Sequence, residues 1–144
     1  MYEQEVFEIF INEGWEGSSR YLEVEINPNN ALWIGRILNP LMDGKNHRLE
    51  STFQPAENGF EYQVKKEEGA WSGSVFIPWN IIGRHSEGLY RINFFRIHTR
   101  NLPSCPDWVS TKDNCDFISW QQIVSGAIPA FHLPKSFGKL KVDF

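Results

Sequence analysis

Hydrophobic and polar positions alternate with a period of two along most of the chain, and the alternating runs are separated by clusters of Gly, Asn, Asp and Pro. Residues 2–11 carry the first run. Val6, Phe7, Ile9, Phe10 and Ile11 are β-branched or aromatic, no Gly or Pro interrupts them, and Asn12-Glu13-Gly14 ends the run. That composition predicts a strand. Its apolar residues fall on both faces, so the strand belongs inside a sheet that is covered on both sides. Glu8 stands in the middle of the run. A carboxylate there is paired, hydrogen-bonded or at the wet end of a site; the plainer alternative is that it faces solvent from a one-sided sheet.

The next run, residues 20–27, sets Leu22, Val24 and Ile26 on one face and Tyr21, Glu23 and Glu25 on the other. Asn27-Pro28-Asn29-Asn30 is a turn, so residues 31–38 should return antiparallel. Further strands are expected over residues 47–53, 60–64, 71–77, 89–97 and 137–142, with one helical turn at 79–83 closed by Gly83. Arg96, inside the strongest later strand, calls for a carboxylate or carbonyl partner. Residues 101–116 read as loop, with a short extended piece at Ser119-Trp120. Many short strands and almost no helix predict an all-β fold, an antiparallel β-sandwich of jelly-roll-like kind, as a single domain over residues 1–144.

Charge and composition narrow the function. The net charge is −4, and the basic residues reach only Lys65-Lys66 and the spaced Lys135, Lys139 and Lys141, which argues against nucleic acid. No stretch is apolar enough for a membrane span. Residues 1–5 lack the basic and apolar regions of a signal peptide, so the chain as written is expected in the cytoplasm. In that compartment Cys105 and Cys115 are expected as free thiols, with a disulfide across the loop as the alternative. Their spacing does not suit a metal pair. The 6 Trp, 11 Phe and 4 Tyr are core material first, and also what sugar-binding surfaces are made of.

No catalytic constellation stands out. Glu23 and Glu25 lie roughly 6–7 Å apart along one strand, a separation that overlaps glycosidase carboxylate pairs. Two acids on one strand face flank no scissile bond, however, and a solvated face is the ordinary expectation for them. No nucleophile elbow, phosphate loop, zinc spacing or nucleotide fingerprint is present, and no enzyme is expected.

Five motifs in order resemble the family 9 carbohydrate-binding modules and their DOMON-like relatives. They are Tyr2-Glu3-Gln4-Glu5-Val6-Phe7-Glu8-Ile9-Phe10-Ile11, Tyr21-Leu22-Glu23-Val24-Glu25-Ile26-Asn27-Pro28, Trp71-Ser72-Gly73-Ser74-Val75-Phe76-Ile77-Pro78-Trp79, Tyr90-Arg91-Ile92-Asn93-Phe94-Phe95-Arg96, and Phe131-His132 followed by Pro134, Phe137-Gly138 and Leu140. The resemblance implies a non-catalytic sugar-binding domain linked to glycoside degradation, with two rings clamping a sugar terminus. By motif position the clamp rings are Tyr2 and Phe131, the strand carboxylate is Glu8, and the polar ligands of the second strand are Glu23 and Glu25. A pyranose presents C–H faces that stack on flat rings, while polar neighbours satisfy its hydroxyls.

The chain departs from the family in two ways. The clamp is Tyr and Phe where family members carry Trp. The second strand is acidic, and three carboxylates around one sugar repel unless a cation or an Arg (Arg36, Arg91 or Arg96) intervenes. The family's N-terminal strands and calcium-linked acidic loops have no counterpart here, so no metal or other cofactor is expected. The first strand is expected to keep an unpaired edge, open to self-association or a partner strand. Trp15, Trp33, Trp71 and Trp79 are read as core or rim rings, Trp108 and Trp120 as second-rank ligand contacts, and His132 as a loop hydrogen-bonder. The alternative function is a relative that has lost sugar binding and serves as an interaction module, its rings buried.

Overall fold

The computed structural model describes residues 5–100, 105, 114–126 and 129–144. Nine strands are present among them: β1 Val6–Glu13, β2 Arg20–Ile26, β3 Leu32–Leu38, β4 Arg48–Thr52, β5 Glu61–Glu67, β6 Ala70–Phe76, β7 Leu89–Thr99, β8 Cys115–Ser119 and β9 Gly138–Lys141. Two four-residue helices, α1 Pro55–Asn58 and α2 Trp79–Ile82, interrupt them. Seven strands form one antiparallel sheet in the order β4-β3-β2-β1-β7, with β8 and β9 pairing the two halves of β7. β5 and β6 form a separate hairpin. The fold is nearly all-β with antiparallel sheets, as expected for a β-sandwich.

β1 is an interior strand, with β2 on one edge and β7 on the other along its length. The apolar residues on both of its faces are thereby accounted for. The expectation of an unpaired edge on this strand is corrected: both edges are already hydrogen-bonded. The turn after β2 is an Asx turn, in which Asn27 Oδ1 accepts from the N–H groups of Asn29 and Ala31 and Asn30 takes φ 60°.

Alternation sends one set of side chains to each face of the main sheet. On one face Val6, Phe10, Tyr21, Ile37, Phe95 and Ile97 pack under Phe131 and Phe137. On the other, Ile11, Leu22, Val24, Ile34 and Ile92 pack with Phe60 and Ile81. The chain therefore has two cores with the sheet between them.

Three further expectations change. Cys115 and Asp116, expected in the loop, open a strand that runs to Ser119, which was expected to be extended, and the strand pairs with Phe95–Thr99. α1 was not expected. Cys105 and Cys115 are joined in a disulfide, so they are not free thiols. Both are buried against the first core, where the covalent link ties residue 105 to the start of β8.

Candidate carboxylate cavity

The register of the central strands assembles the site. Glu8 of β1 lies opposite Glu25 of β2 and Phe95 of β7. Glu23 of β2 lies opposite Phe10, one step along the same face. A period of two thus brings three glutamates onto the face that also carries Phe10, Tyr21 and Phe95. All three are buried, at 2 %, 6 % and 5 % exposure for Glu8, Glu23 and Glu25. The expectation of a solvated face for Glu23 and Glu25 is overturned: the segment before β9 folds back across this face and covers it.

Together the three carboxylates line a cavity of about 300 Å³. Phe131, His132 and Ala130 wall it on one side, Gly44 and His47 on the other. That volume is at the small end of ligand sites, sized for one small ring. A wider cleft of about 630 Å³ lies beside Trp15, Lys141 and Phe144, but no buried charged side chain lines it.

The rim is held by buried polar contacts. The Asn39 side chain, fully buried, donates through Nδ2 to the carbonyls of Asp43 and His132, and its Oδ1 accepts from the Asp43 N–H. It thus ties the loop after β3 to the covering segment. Tyr21 Oη and His132 Nδ1 share a hydrogen bond of 2.6 Å, and the His132 ring stacks on His47 at 3.6 Å between centroids. At Gly44 a Cβ would stand 2.8 Å from the Cβ of Ala130, so only glycine lets the two rims approach this closely.

Burial sets the charge states. It pushes Glu8 up to about 8, with the Glu25 charge adding to the effect and the positive amino terminus opposing it. It carries Glu23 well above the usual carboxylate range, assisted by Glu8 and Glu25, and raises Glu25. It also drives His132 down to about 3, with His47 contributing, and lowers His47. Burial likewise raises Tyr21, keeping the phenol protonated. Among the described residues no hydrogen bond or ion pair reaches the three carboxylates, and Glu25 Oε2 is buried with no partner. Nor do three acidic or histidine side chains converge there as metal ligands.

None of the three arginines considered as counter-charges stands among the glutamates. Arg36 donates to the Ile81 carbonyl and lies over the Phe53 ring. Arg91 donates to the carbonyls of Trp15, Lys135 and Phe137. Arg96 pairs with Glu5 at 2.6 Å, which supplies the carboxylate partner its strand position called for.

The structure brings Glu8, Glu23, Glu25 and Phe131 to one cavity. Tyr2 lies outside the described residues, as does Trp108. Phe131 is not an open platform: it is 6 % exposed and stacks on Phe95 at 4.3 Å. Trp120 is 61 % exposed and meets Phe94, away from the cavity. Asn39, Gly44 and His47 were not foreseen as parts of the site. Asn39-Pro40 and Asp43-Gly44 signal a loop, but nothing local says which strand face that loop overhangs.

No protein-family profile matches the chain. A protein of Arthroderma benhamiae described as an extracellular protein is 29 % identical over 106 residues, which span 69 % of this chain and 48 % of that one. A crystal structure of a candidate carbohydrate-binding protein from Bacteroides uniformis superposes with a TM-score of 0.62 at 21 % identity, covering 97 % of this chain and 62 % of that one. At that identity the likeness is one of fold. The chain spans about half the length of the fungal protein and under two thirds of the bacterial one.

Proposed function

We propose that the chain is a non-catalytic carbohydrate-binding domain that takes a sugar into the cavity above Glu8, Glu23 and Glu25. The observation that carries this reading is the convergence on one cavity of buried carboxylates with the rings of Phe131, His47 and His132. Carboxylates accept from hydroxyls and rings receive C–H faces, which is what a pyranose offers. The family 9 resemblance supports the reading, because Glu8, Glu23, Glu25 and Phe131 are the positions it singles out. The fold shared with the Bacteroides protein supports it too. All three acids stand on one sheet floor and do not flank a bond, which favours binding over hydrolysis. A link to glycoside degradation rests on the resemblance alone.

The disulfide and the likeness to an extracellular protein support an oxidising compartment over the cytoplasm. One observation favours a second reading, an interaction module without sugar binding: the Phe131 ring is committed to the core through Phe95.

Calorimetric titration with a panel of monosaccharides and short oligosaccharides tests the proposal. Saturable binding that His47→Ala weakens roughly tenfold, with an unchanged melting temperature, is expected, since His47 is exposed at the rim and one rim contact contributes about 1.4 kcal/mol. A folded protein that binds no sugar leaves the interaction module standing.

A further inference from the structure

We propose that the sugar this cavity selects carries a protonated amine, so that a hexosamine-class ligand sets its ammonium group against Glu8, Glu23 and Glu25. The inference rests on the carbohydrate reading above and names the ligand class for the same cavity.

Three observations carry it. Among the described residues no Lys or Arg lines the cavity, the candidate arginines are spent elsewhere on backbone carbonyls and on Glu5, and the positive charge of the amino terminus only partly offsets the effect of burial on Glu8 and Glu25. Glu25 lines the cavity, and its Oε2 is buried without a partner; an unsatisfied buried acceptor costs free energy that a donor from a ligand settling against this side chain recovers. Glu8 and Glu25 are directly opposed across β1 and β2, with Cβ atoms roughly 4.5–5.5 Å apart in such a pair, so one small cation reaches both.

A hydroxyl supplies a single donor and no charge, whereas an ammonium supplies three donors and a positive charge; because burial keeps Glu8 and Glu23 protonated in the unliganded chain, binding of the ammonium expels their protons and leaves carboxylates as its partners. The neutral histidines at the mouth neither repel that charge nor compete for the carboxylates. A bare metal ion fits less well, because no three acidic or histidine side chains converge as ligands among the described residues. The cavity also has room for a ring.

The 144-residue chain is titrated at fixed pH and ionic strength with glucosamine, glucose, N-acetylglucosamine, glucuronic acid and calcium chloride. Glucosamine should bind at least about tenfold tighter than glucose or its N-acetyl counterpart, and glucuronic acid weakest. Glu25→Gln should remove the glucosamine preference, so that the variant binds glucosamine no tighter than it binds glucose. Glu23→Gln provides the same comparison should the first variant melt early. Glucose binding as tightly as glucosamine overturns the amine assignment and leaves the carbohydrate reading intact. No binding of any sugar by the folded chain overturns both. Calcium binding that Glu25→Gln abolishes overturns the amine in favour of a metal.

Discussion

At the scale of single residues, the buried glutamates make folding a proton-uptake reaction. Glu8 and Glu23 hold protons in the folded chain and shed them on unfolding, because burial opposes their charge. Between the ordinary carboxylate value of 4.5 and the folded value of about 8 for Glu8, stability falls as pH rises. The slope is on the order of 1.4 kcal/mol per pH unit for each such carboxyl. His132 acts oppositely. Its stability contribution is full above the ordinary value of 6.5 and is lost as pH falls toward about 3. From pH 6.5 to 8 the carboxyls therefore act alone of these groups. Urea midpoints should decline across that span, and Glu8→Gln should flatten the decline and raise the midpoint at pH 8. An identical slope in the variant would mean that Glu8 is ionised in the folded chain. Glu5 is the contrasting carboxylate. Burial pushes it up, yet the Arg96 guanidinium, Thr99 N–H, Trp71 indole and His98 imidazole bring it below its usual value. Glu5→Ala removes the acceptor shared by four groups and should cost on the order of 2 kcal/mol in chemical denaturation.

At the scale of elements, the site depends on a loop and a covering segment that Asn39 holds together. Asn39→Ala leaves the carbonyls of Asp43 and His132 without their donor. It should cost about 1–3 kcal/mol and raise amide exchange in residues 41–46, and it should weaken the proposed sugar binding although Asn39 does not line the cavity. Unchanged exchange would show that the rim is held by other contacts. These elements also mark what could be read in advance. β1 to β3 and β7 were legible because alternation and an Asx turn are local. The faces of Tyr21, Glu23 and Glu25 followed from the same period. Their burial did not, because the cover comes from residues 129–137, far along the chain, and a period of two tells which side chains share a face and not whether the face is wet. The start of β8 was hidden for a related reason: only its end at Ser119 read as extended, because five residues beginning Cys115-Asp116 carry too little pattern, and pairing to β7 defines them as a strand.

At the scale of the whole molecule, the main sheet separates two cores of unequal security. The hairpin side is closed by continuous chain through β5, β6 and α2. The cavity side is closed by the covering segment and by the buried Cys105–Cys115 link, ten residues apart in sequence. A cross-link of that span restricts the unfolded chain by an amount equivalent to about 3 kcal/mol. For a domain of this size that corresponds to roughly 5–10 °C in melting temperature. Reduction should therefore lower the melting temperature by that amount. The same loss should appear in the Cys105→Ser, Cys115→Ser double variant, which reductant should not shift further. The ordering matters for function, because Cys115 opens the strand that packs Phe117 against Phe131, a wall of the cavity. Reduced protein should accordingly lose the proposed sugar binding at temperatures where it remains folded. A melting temperature and an affinity both indifferent to reductant would detach the disulfide from the site and withdraw its support for an oxidising compartment.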